Sequence, residues 1–321
     1  MIFSVVIPSR DKRPLLARTL DALRTQDPGT DDWEIVVVND GSTDDTGVFL
    51  AELMAIEPRL KVVTPPANVG RAAARNLGWQ AATGDWIVFL DDDILAPPGL
   101  LHAHLAVLSA DPANGTIGPA VTDPAIIDAP HFHYLDTRGV AKLSPGPAPG
   151  KYFVTQNAGI PRAALAGIGG FDEGFSAYGF EDMDLGFRLE DAGLSFQVLA
   201  APVPLHIHHH SLGDYLDKKE ICGRSSLRQV ANRHPERLAE MRLDLVVDPV
   251  GHMPSAAHRL VRSVLSGPLG RLAAGMAGVW PCRGNQPVLA AMYCRCLDVA
   301  VLSAYCRGLT ETATEGVKQA E

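Results

Sequence analysis

Cysteine is scarce in this sequence, and the cysteines present do not form a metal-binding pattern. There are five in 321 residues, four of them between Cys282 and Cys306, and no two are spaced as CxxC. An odd count without such pairs argues against a zinc-binding or disulfide framework. The sequence therefore predicts a reduced, cytoplasmic protein.

Basic charge is also in deficit. The formal net charge is −9 at pH 7, with 28 Lys and Arg against 37 Asp and Glu. A nucleic-acid surface needs a basic field that displaces counterions from the phosphate backbone. The charge balance therefore excludes nucleic acid as the expected partner.

Long apolar runs are missing as well. No uninterrupted run approaches the roughly 20 residues that a membrane-spanning helix needs, so no transmembrane span is predicted. The first residues, MIFSVVIPSRDKR, are too short and too soon charged for a signal peptide. They are typical of a first strand instead.

What the sequence does have is a regular alternation of strand and helix patterns over residues 1–95. Short apolar runs read FSVVIP, WEIVVVND, LKVVTPP and WIVFL, and helical patterns of 10 to 15 residues separate them. Such an alternation predicts parallel βαβ crossovers. The expected fold is α/β, with a Rossmann-like, mostly parallel twisted sheet flanked by helices.

Polar residues follow the strands of this predicted sheet at the point where each strand ends. They are Pro8-Ser9-Arg10, Asn39-Asp40 and Asp91-Asp92-Asp93. In an open α/β sheet, ligands bind beyond the carboxyl ends of the strands. These residues are therefore expected to line one ligand-binding edge.

The three adjacent carboxylates need a particular explanation, because they repel one another. In an extended segment Asp91 and Asp93 point to one side and Asp92 to the other. Oxygen ligands without thiols suit Mg²⁺ or Mn²⁺, which also bind phosphate oxygens. We interpret the cluster as a site for a metal and a diphosphate, the alternative being a solvated strand end.

A second acidic group opens a predicted helix in GGFDEGFSAYGFEDMDLGFRLEDAGL, residues 169–194. Asp184 and Arg188 can pair at i, i+4, and carboxylates in a first turn suit the helix dipole. That leaves Glu181 and Asp182 unexplained, after a glycine-rich approach. A carboxylate near a sugar hydroxyl can act as general base.

Four histidines lie in the five residues 206–210, in VPLHIHHHS. His206, His208 and His210 share one face of an extended segment, with His209 opposite. Imidazole is a good Mn²⁺ ligand beside carboxylates. We expect at least one of these histidines to bind metal, with an all-histidine zinc site and a polar strand end as the alternatives.

These pieces together resemble a known family. In chain order they are SVVIPSRDK, VVVNDGSTDDT, NVGRAAARNLGWQAATGDWIVFLDDD, QNAGIPRAAL, GGFDEGF with FEDMDLGFRL, and LHIHHH. Over residues 1 to about 210 the chain resembles the inverting nucleotide-sugar glycosyltransferases of family 2, which have the glycosyltransferase-A fold. The QxxRW helix of processive synthases is missing, which argues against processive synthesis.

The resemblance assigns residues to the nucleotide-sugar donor. It implies that Pro8, Ser9 and Arg10 line the pocket for the nucleotide base. It also implies that Asp40 accepts a hydrogen bond from a pyrimidine imide and that Asp92 holds the ribose. The full set implied for donor binding is Pro8, Ser9, Arg10, Asp40, Asn68, Arg75, Asp91 and Asp92. A uridine diphosphate sugar is the expected donor.

The resemblance also implies the metal and catalytic residues. Asp91 and Asp93 would be the outer carboxylates of a DxD motif that binds Mn²⁺ or Mg²⁺, with Asp93 as a direct ligand. His206 would be a further ligand, and since the register of the histidine run is open, His208 is included. Asp182 would be the general base, and Glu181 would orient donor or acceptor.

The expected function is metal-dependent transfer of a sugar, with inversion, to the hydroxyl of a glycan, lipid-linked or small-molecule acceptor. Two alternatives stay open. One is a zinc hydrolase centred on the cluster His206–His210. The other is a catalytically inert protein of the same family that binds nucleotide sugars.

The expected organisation has three parts. Residues 1–95 form the nucleotide-binding half of the catalytic domain, 96–215 the acceptor-binding and catalytic half, and 216–321 a helical extension. In the extension, HRLVRSVLSGPLGRLAAGMAGVW mixes Arg with apolar residues at helical spacing. We expect it to pack on its own domain or on a second copy in a homodimer. The alternative is peripheral contact with the inner face of the membrane.

Overall fold

The computed structural model describes residues 3–27, 29, 32–244, 246–248, 255–279 and 287–318. For residues 279, 287 and 311–318 it describes the backbone alone.

Strands are concentrated before residue 207. They are β1 (Phe3–Ser9), β2 (Trp33–Asn39), β3 (Leu60–Val63), β4 (Trp86–Leu90), β5 (Ile94–Leu95), β6 (Asn114–Ile117), β7 (Val121–Thr122), β8 (Gly146–Ala148), β9 (Asn157–Pro161), β10 (Ser195–Val198) and β11 (Leu205–His206).

Helices separate the strands and dominate after residue 211. They are α1 (Arg13–Arg24), α2 (Thr46–Met54), α3 (Arg71–Ala81), α4 (Leu100–Leu108), α5 (His131–Asp136), α6 (Arg162–Ile168), α7 (Glu181–Asp191), α8 (Leu212–Arg224), α9 (Ser226–Arg233), α10 (Leu238–Met241), α11 (Ala256–Ser266), α12 (Pro268–Val279) and α13 (Pro287–Lys318).

The larger sheet has the strand order β3-β2-β1-β4-β9-β6-β10-β8. The pairs β3-β2, β2-β1, β1-β4 and β6-β10 are parallel, whereas β9 runs antiparallel to both of its neighbours and β8 to β10. The predicted α/β fold with a mostly parallel sheet is thus confirmed. Because β1, β2 and β4 are parallel neighbours, their carboxyl ends meet at one edge, where the polar residues lie.

Both faces of this sheet are covered, which explains why its strands read as continuous apolar runs. On one face Val5, Ile7 and Val37 pack with the leucines of α1. On the other face Val6 and Phe89 pack in a second cluster that includes residues of α3, α6 and α7. Each fully buried aliphatic side chain contributes roughly 1.5–3 kcal/mol. The two faces therefore hold the strand ends rigidly.

A smaller sheet has the strand order β5-β11-β7. Leu205 pairs with Leu95 and His206 with Ile94, in antiparallel register. A further backbone bond runs from Ile207 N to Asp93 O, at 3.0 Å. This pairing joins the histidine segment to the acidic loop that follows β4.

The chain divides into two compact units. The first comprises residues 1–127, 135–174 and 182–208, and the second 128–134, 175–181 and 209–321. The boundary predicted at 95 falls inside the first unit, and the one predicted at 215 lies a few residues after 209. The roles predicted for the three segments stay predictions.

Among the described residues, one helix is long and apolar enough to cross a membrane. It is the segment Val288–Thr310 of α13, most of which is not buried. The search for uninterrupted runs missed it because Arg295, Asp298 and Arg307 divide its apolar residues. A single such helix is weak evidence, since packed helices of globular proteins have the same composition.

Candidate active site

The acidic loop Asp91-Asp92-Asp93 connects β4 to β5 in the first unit. Its members differ in burial: Asp92 and Asp93 are buried, whereas a third of the Asp91 side chain is exposed. The loop is therefore not a solvated strand end.

Asp92 is fixed on several sides. Its carboxylate accepts hydrogen bonds from Ser9 Oγ at 2.7 Å and Lys12 Nζ at 3.0 Å, and its carbonyl accepts one from Thr19 Oγ1 at 3.0 Å. Burial raises the pKa of Asp92, against the opposing effect of Lys12. Ser9, predicted to line the base pocket, thus positions the acidic loop here, and the ribose contact expected of Asp92 stays a prediction.

Asp93 faces two of the histidines. Its Oδ1 lies 3.4 Å from His206 Nε2, and its Oδ2 lies 3.3 Å from His208 Nδ1 and 2.8 Å from Lys12 Nζ. Burial would raise the pKa of Asp93, but these neighbours outweigh it and hold the pKa well below the usual value. The structure thus brings together Asp93, His206 and His208, and their role as metal ligands stays a prediction.

Lys12 is a member of this group that the sequence analysis missed. It precedes α1 directly and its ammonium lies between the carboxylates of Asp92 and Asp93. Burial alone would lower its pKa, but the two carboxylates raise it above the ordinary lysine value. Its only sequence signal is a position two residues after the predicted base-pocket residues.

Asp93 and the two histidines beside it fit Mn²⁺ or Mg²⁺ as part of a ligand set. Asp93 Oδ1 is buried and accepts no hydrogen bond of normal geometry from any described residue, as expected of an oxygen reserved for a cation. Across the described parts of the chain, however, no three His, Cys, Asp or Glu side chains are grouped as a complete metal site. An ion here would take Asp93 and an imidazole from the protein and its remaining ligands from a diphosphate or water.

The histidine run is divided between the two units. His206 and His208 lie in the first unit beside Asp93, whereas His209 and His210 lie in the second. There His209 Nε2 lies 3.1 Å from Asp128 Oδ2, and the His210 carbonyl accepts a bond from His131 Nε2 at 2.9 Å. Within each unit the histidines thus have different partners, Asp93 for His206 and His208, and Asp128 and His131 for His209 and His210.

Asp40 and Asn68 lie together at the end of β2. Asp40 is buried and accepts hydrogen bonds from Asn68 Nδ2 at 2.7 Å, Val69 N at 2.7 Å and Gly70 N at 3.1 Å. Gly70 has φ +87°, which favours glycine and lets the backbone turn into α3. Asp40 therefore shapes this loop, and its contact with a pyrimidine stays a prediction.

Arg75 of α3 connects the acidic loop to Asp182, the predicted general base. Its side chain is buried; Nη2 lies 3.5 Å from Asp91 Oδ1 and Nη1 lies 3.5 Å from Asp182 Oδ1. The guanidinium also lies 5.7 Å from the ring centroid of Phe171. One cation thus joins two carboxylates that are 91 residues apart in the sequence, and Asp91 faces Arg75 here.

Asp182 is oriented by Thr155, a contact that the sequence analysis missed. Thr155 donates from its backbone N at 3.2 Å and from Oγ1 at 3.0 Å to the Asp182 carboxylate. The carboxylate keeps 18% of its surface exposed, so a hydroxyl group can reach it. Glu181 is buried but belongs to the second unit, and its predicted role stays a prediction.

The remaining predicted residues lie at the end of β1. Pro8 is half-buried, and Arg10 is exposed with its Nε 3.4 Å from Asp11 Oδ2. Neither contacts the acidic loop through a recorded hydrogen bond among the described residues. Their contact with a nucleotide base stays a prediction.

Comparison with known families agrees with this geometry. Residues 4–164 match the family described as glycosyl transferase family 2, and residues 143–210 match one described as N-terminal domain of galactosyltransferase. The first match covers half of the chain. The protein therefore belongs to glycosyltransferase family 2.

Its curated relatives are glycosyltransferases of varied substrates. It is 32% identical over 227 residues to a validoxylamine A glucosyltransferase of Streptomyces hygroscopicus, covering 61% of this chain and 53% of that one. It is 29% identical over 245 residues to the pre-mycofactocin glycosyltransferase of Mycobacterium tuberculosis, covering 74% and 49%. The chain spans about half the length of these relatives.

Solved structures show the same fold. A mannosyltransferase from Pyrobaculum calidifontis in complex with GDP-Man and Mn²⁺ superposes with a TM-score of 0.62 at 20% identity, covering 99% of this chain and 88% of that one. S. aureus TarS 1-349 in complex with UDP-GlcNAc gives 0.53 at 17% identity, covering 98% and 92%. The fold is thus that of the glycosyltransferase-A class.

Proposed function

We propose that this chain transfers a sugar from a nucleoside diphosphate sugar to an acceptor hydroxyl with inversion, with Asp182 as the general base. The observation that carries the proposal is the arrangement around Arg75. This buried cation lies 3.5 Å both from Asp91 in the acidic loop and from Asp182. A diphosphate at the loop would therefore have its sugar close to a carboxylate of suitable chemistry.

The reaction follows from the placement of these groups. Asp182, oriented by Thr155, accepts the proton of the acceptor hydroxyl. The hydroxyl oxygen forms a bond to the anomeric carbon while the bond from that carbon to the phosphate oxygen breaks. The leaving nucleoside diphosphate takes the electron pair. A single displacement from the opposite face inverts the configuration.

The residues that would hold a divalent cation are Asp93 with His206 or His208. Bound Mn²⁺ or Mg²⁺ would neutralise the charge that develops on the leaving diphosphate. Lys12 supports this function by compensating the charge of Asp92 and Asp93. Without such compensation, two adjacent buried carboxylates would repel each other.

Donor and acceptor are proposed as classes. The solved neighbours bind GDP-Man in one case and UDP-GlcNAc in another, so the fold accommodates either base. We propose a uridine diphosphate sugar, from the position of Asp40. The acceptor is proposed as a small-molecule or lipid-linked glycan hydroxyl, since one relative is named as an N-acetylglucosaminyl-diphospho-decaprenol L-rhamnosyltransferase. The cytoplasm is the proposed compartment, since Cys222, Cys294, Cys296 and Cys306 carry free thiols.

A thermal-shift screen tests the proposal. The protein is melted with uridine, guanosine or thymidine diphosphate, with Mn²⁺ and then with chelator. We expect stabilisation by uridine diphosphate that needs Mn²⁺, of about 2.7 kcal/mol at a nucleotide concentration of 100 Kd. Asp93→Asn should abolish the effect of Mn²⁺, whereas Asp21→Asn, an exposed aspartate on α1, should preserve it.

Two results would contradict the proposal. Absence of stabilisation by every nucleotide, with and without metal, would remove the donor class. Stabilisation without release of nucleotide from any donor sugar would favour the inert binding protein. A nucleotide-release assay on the same samples distinguishes the two.

A further inference from the structure

The helices α11, α12 and α13 present an unusual concentration of exposed apolar side chains. Eight of the fifteen large exposed apolar residues in the described chain lie between positions 260 and 292. They are Leu260, Val264, Leu269, Leu272, Met276, Val288, Leu289 and Met292. We call these eight residues the apolar face.

The exposed residues are arranged in stripes. Leu260 and Val264 are four residues apart on α11, so they share one side of that helix. On α12 the exposed residues are Leu269, Leu272 and Met276, at i, i+3 and i+7. Each of these two helices therefore has an apolar side that stays substantially exposed among the described residues.

The three helices pack on one another through their other sides. Gly270 of α12 lies so close to Ser303 of α13 that a Cβ there would collide with it. Ala273, also on α12, is buried, and its carbonyl accepts a bond from Cys296 Sγ at 3.2 Å. The apolar face is therefore what remains exposed after the helices have packed.

The charge of this region is opposite to that of the chain. Between Asp248 and Asp298 there is no Asp or Glu, and there are five Arg, in a protein of net charge −9. Arg271 and Arg295 are exposed and form no ion pair with any described residue. Exposed apolar stripes with arginines beside them match an anionic lipid surface, where each basic residue attracts the headgroups.

The apolar segment of α13 does not require a span. Toward its C-terminal end, Gly308 lies against the backbone of α8 at Glu220, and Arg307 Nε donates to Glu220 Oε2 at 2.7 Å. Among the described side chains of α13, the large exposed apolar residues are Val288, Leu289 and Met292, all in its first turns. Contact along the surface of a bilayer uses those turns and leaves the packing with α8 intact.

We propose that the apolar face and its arginines bind the surface of a membrane that contains anionic lipids. This inference is independent of the proposed sugar transfer, because it uses only residues of the second unit. A lipid bilayer is favoured over a second copy of the chain because the region is basic. Two copies would bring these arginines together without acids to compensate them.

Vesicle sedimentation of the full chain tests the proposal. Vesicles of phosphatidylcholine alone are compared with vesicles of equal parts phosphatidylcholine and phosphatidylglycerol. We expect binding to the anionic vesicles at least about tenfold tighter than to the neutral ones, weakening as salt is added. Arg271→Glu with Arg295→Glu should lower that binding at least about tenfold.

The apolar contribution is tested separately. Leu272→Glu with Met276→Glu should abolish binding to anionic vesicles, since the stripe on α12 can no longer enter the interface. The matched control is Val48→Glu with Ile56→Glu, two apolar residues that are more exposed than Leu272 and Met276 but lie in the first unit. That control should bind as the unchanged protein does. Melting curves and nucleotide binding verify that each variant is folded.

Three results would overturn the proposal. The first is equal binding of the protein to neutral and anionic vesicles, and the second is an equal loss of binding in the control variant. The third is a protein that binds no vesicles but forms a dimer, which Leu272→Glu with Met276→Glu dissociates. Should the charge variants unfold, the salt titration of the unchanged protein decides, because salt-insensitive binding contradicts an electrostatic contact. Loss of nucleotide binding with vesicle binding retained would count against the sugar transfer alone.

Discussion

At the scale of single residues, charge compensation organises the candidate site. Lys12 lies between Asp92 and Asp93, and Arg75 lies between Asp91 and Asp182. Lys12 thus joins the start of α1 to the acidic loop, and Arg75 joins that loop to Asp182. Substitution of Asp182 is expected to change turnover, whereas substitution of Lys12 is expected to change stability.

Asp182→Asn tests the base directly. The amide retains the shape of the side chain and its contact with Thr155, but it cannot accept a proton. We expect turnover to fall about 10²–10⁴-fold, the usual contribution of a general base, while nucleotide affinity stays unchanged. Steady-state kinetics and calorimetry measure the two quantities. Asp191→Asn, at the exposed end of the same helix, is the control, and similar losses in both variants would contradict the assignment.

Lys12→Met tests the compensating cation. The substitution leaves two buried carboxylates without their ammonium, which should lower the free energy of unfolding by up to about 3 kcal/mol. Added Mn²⁺ should recover part of this loss, so the metal-dependent increase in stability should be larger than in the unchanged protein. Urea denaturation with and without Mn²⁺ measures both effects.

The control for Lys12 is Lys61→Met. Lys61 pairs with Glu34 at 3.4 Å but is more exposed, so its removal should cost less than about 1 kcal/mol. Mn²⁺ should not change the stability of that variant more than it changes the unchanged protein. An equal increase in stability of the two variants on addition of Mn²⁺ would contradict a role of Lys12 at the metal site.

At the scale of helices and strands, the periodicity of apolar residues predicted the existence of the first strands and helices, which depends on local sequence. The apolar runs predicted β1, β2, β3 and β4, because strands covered on both faces consist mostly of apolar residues. The antiparallel insertion of β9 between β4 and β6 was not predictable in this way, since pairing partners are set by tertiary packing. The contacts of Lys12 and Thr155 with the carboxylates were not predictable for the same reason.

A buried histidine at the junction of α4, β6 and β9 makes stability depend on pH. His104 Nδ1 lies 2.7 Å from Thr116 Oγ1 and Nε2 lies 2.8 Å from Asn157 Oδ1. Burial lowers its pKa from 6.5 to about 4. Between these values the unfolded chain binds a proton that the folded chain does not, so stability falls as the pH falls.

From the difference between these two pKa values of His104, we expect the free energy of unfolding to fall by about 3 kcal/mol as the pH falls from 7 to 4. Urea denaturation at several pH values measures it. His104→Gln should be less stable at pH 7 but should lose less on acidification. His102→Gln, exposed on the same helix, should keep the pH dependence of the unchanged protein. An unaltered pH slope in His104→Gln would contradict the assignment.

At the scale of the whole molecule, the two compact units carry separate proposed tasks. The acidic loop, Lys12, Arg75 and Asp182 belong to the first unit, and the apolar face belongs to the second. The family resemblance in the sequence ends near residue 210, close to where the second unit takes over. For the C-terminal helices, which carry no family motif, the sequence therefore left packing, a homodimer and membrane contact all open, and the exposure of individual side chains is seen only in the structure.

Hydrogen–deuterium exchange measures the two tasks in one sample. Nucleotide with Mn²⁺ should slow exchange in residues 91–95 and 205–208, because the ligand holds the acidic loop and the paired strand together. Anionic vesicles should slow it in residues 255–279 instead. Asp93→Asn should remove the first effect and keep the second. Protection of 255–279 by the nucleotide alone would contradict this division.

The pairing of β5 with β11 has a consequence for insertions and deletions. Only two residues of each strand set which side chains face Asp93, and neighbouring side chains in a strand alternate. A shift by one position would place Ile207, with either His209 or Leu205, where His206 and His208 now stand, so at most one imidazole would face Asp93. A shift by two would present His208 and His210 in one direction and Pro204 and His206 in the other, so a slip of two keeps at least one imidazole facing Asp93.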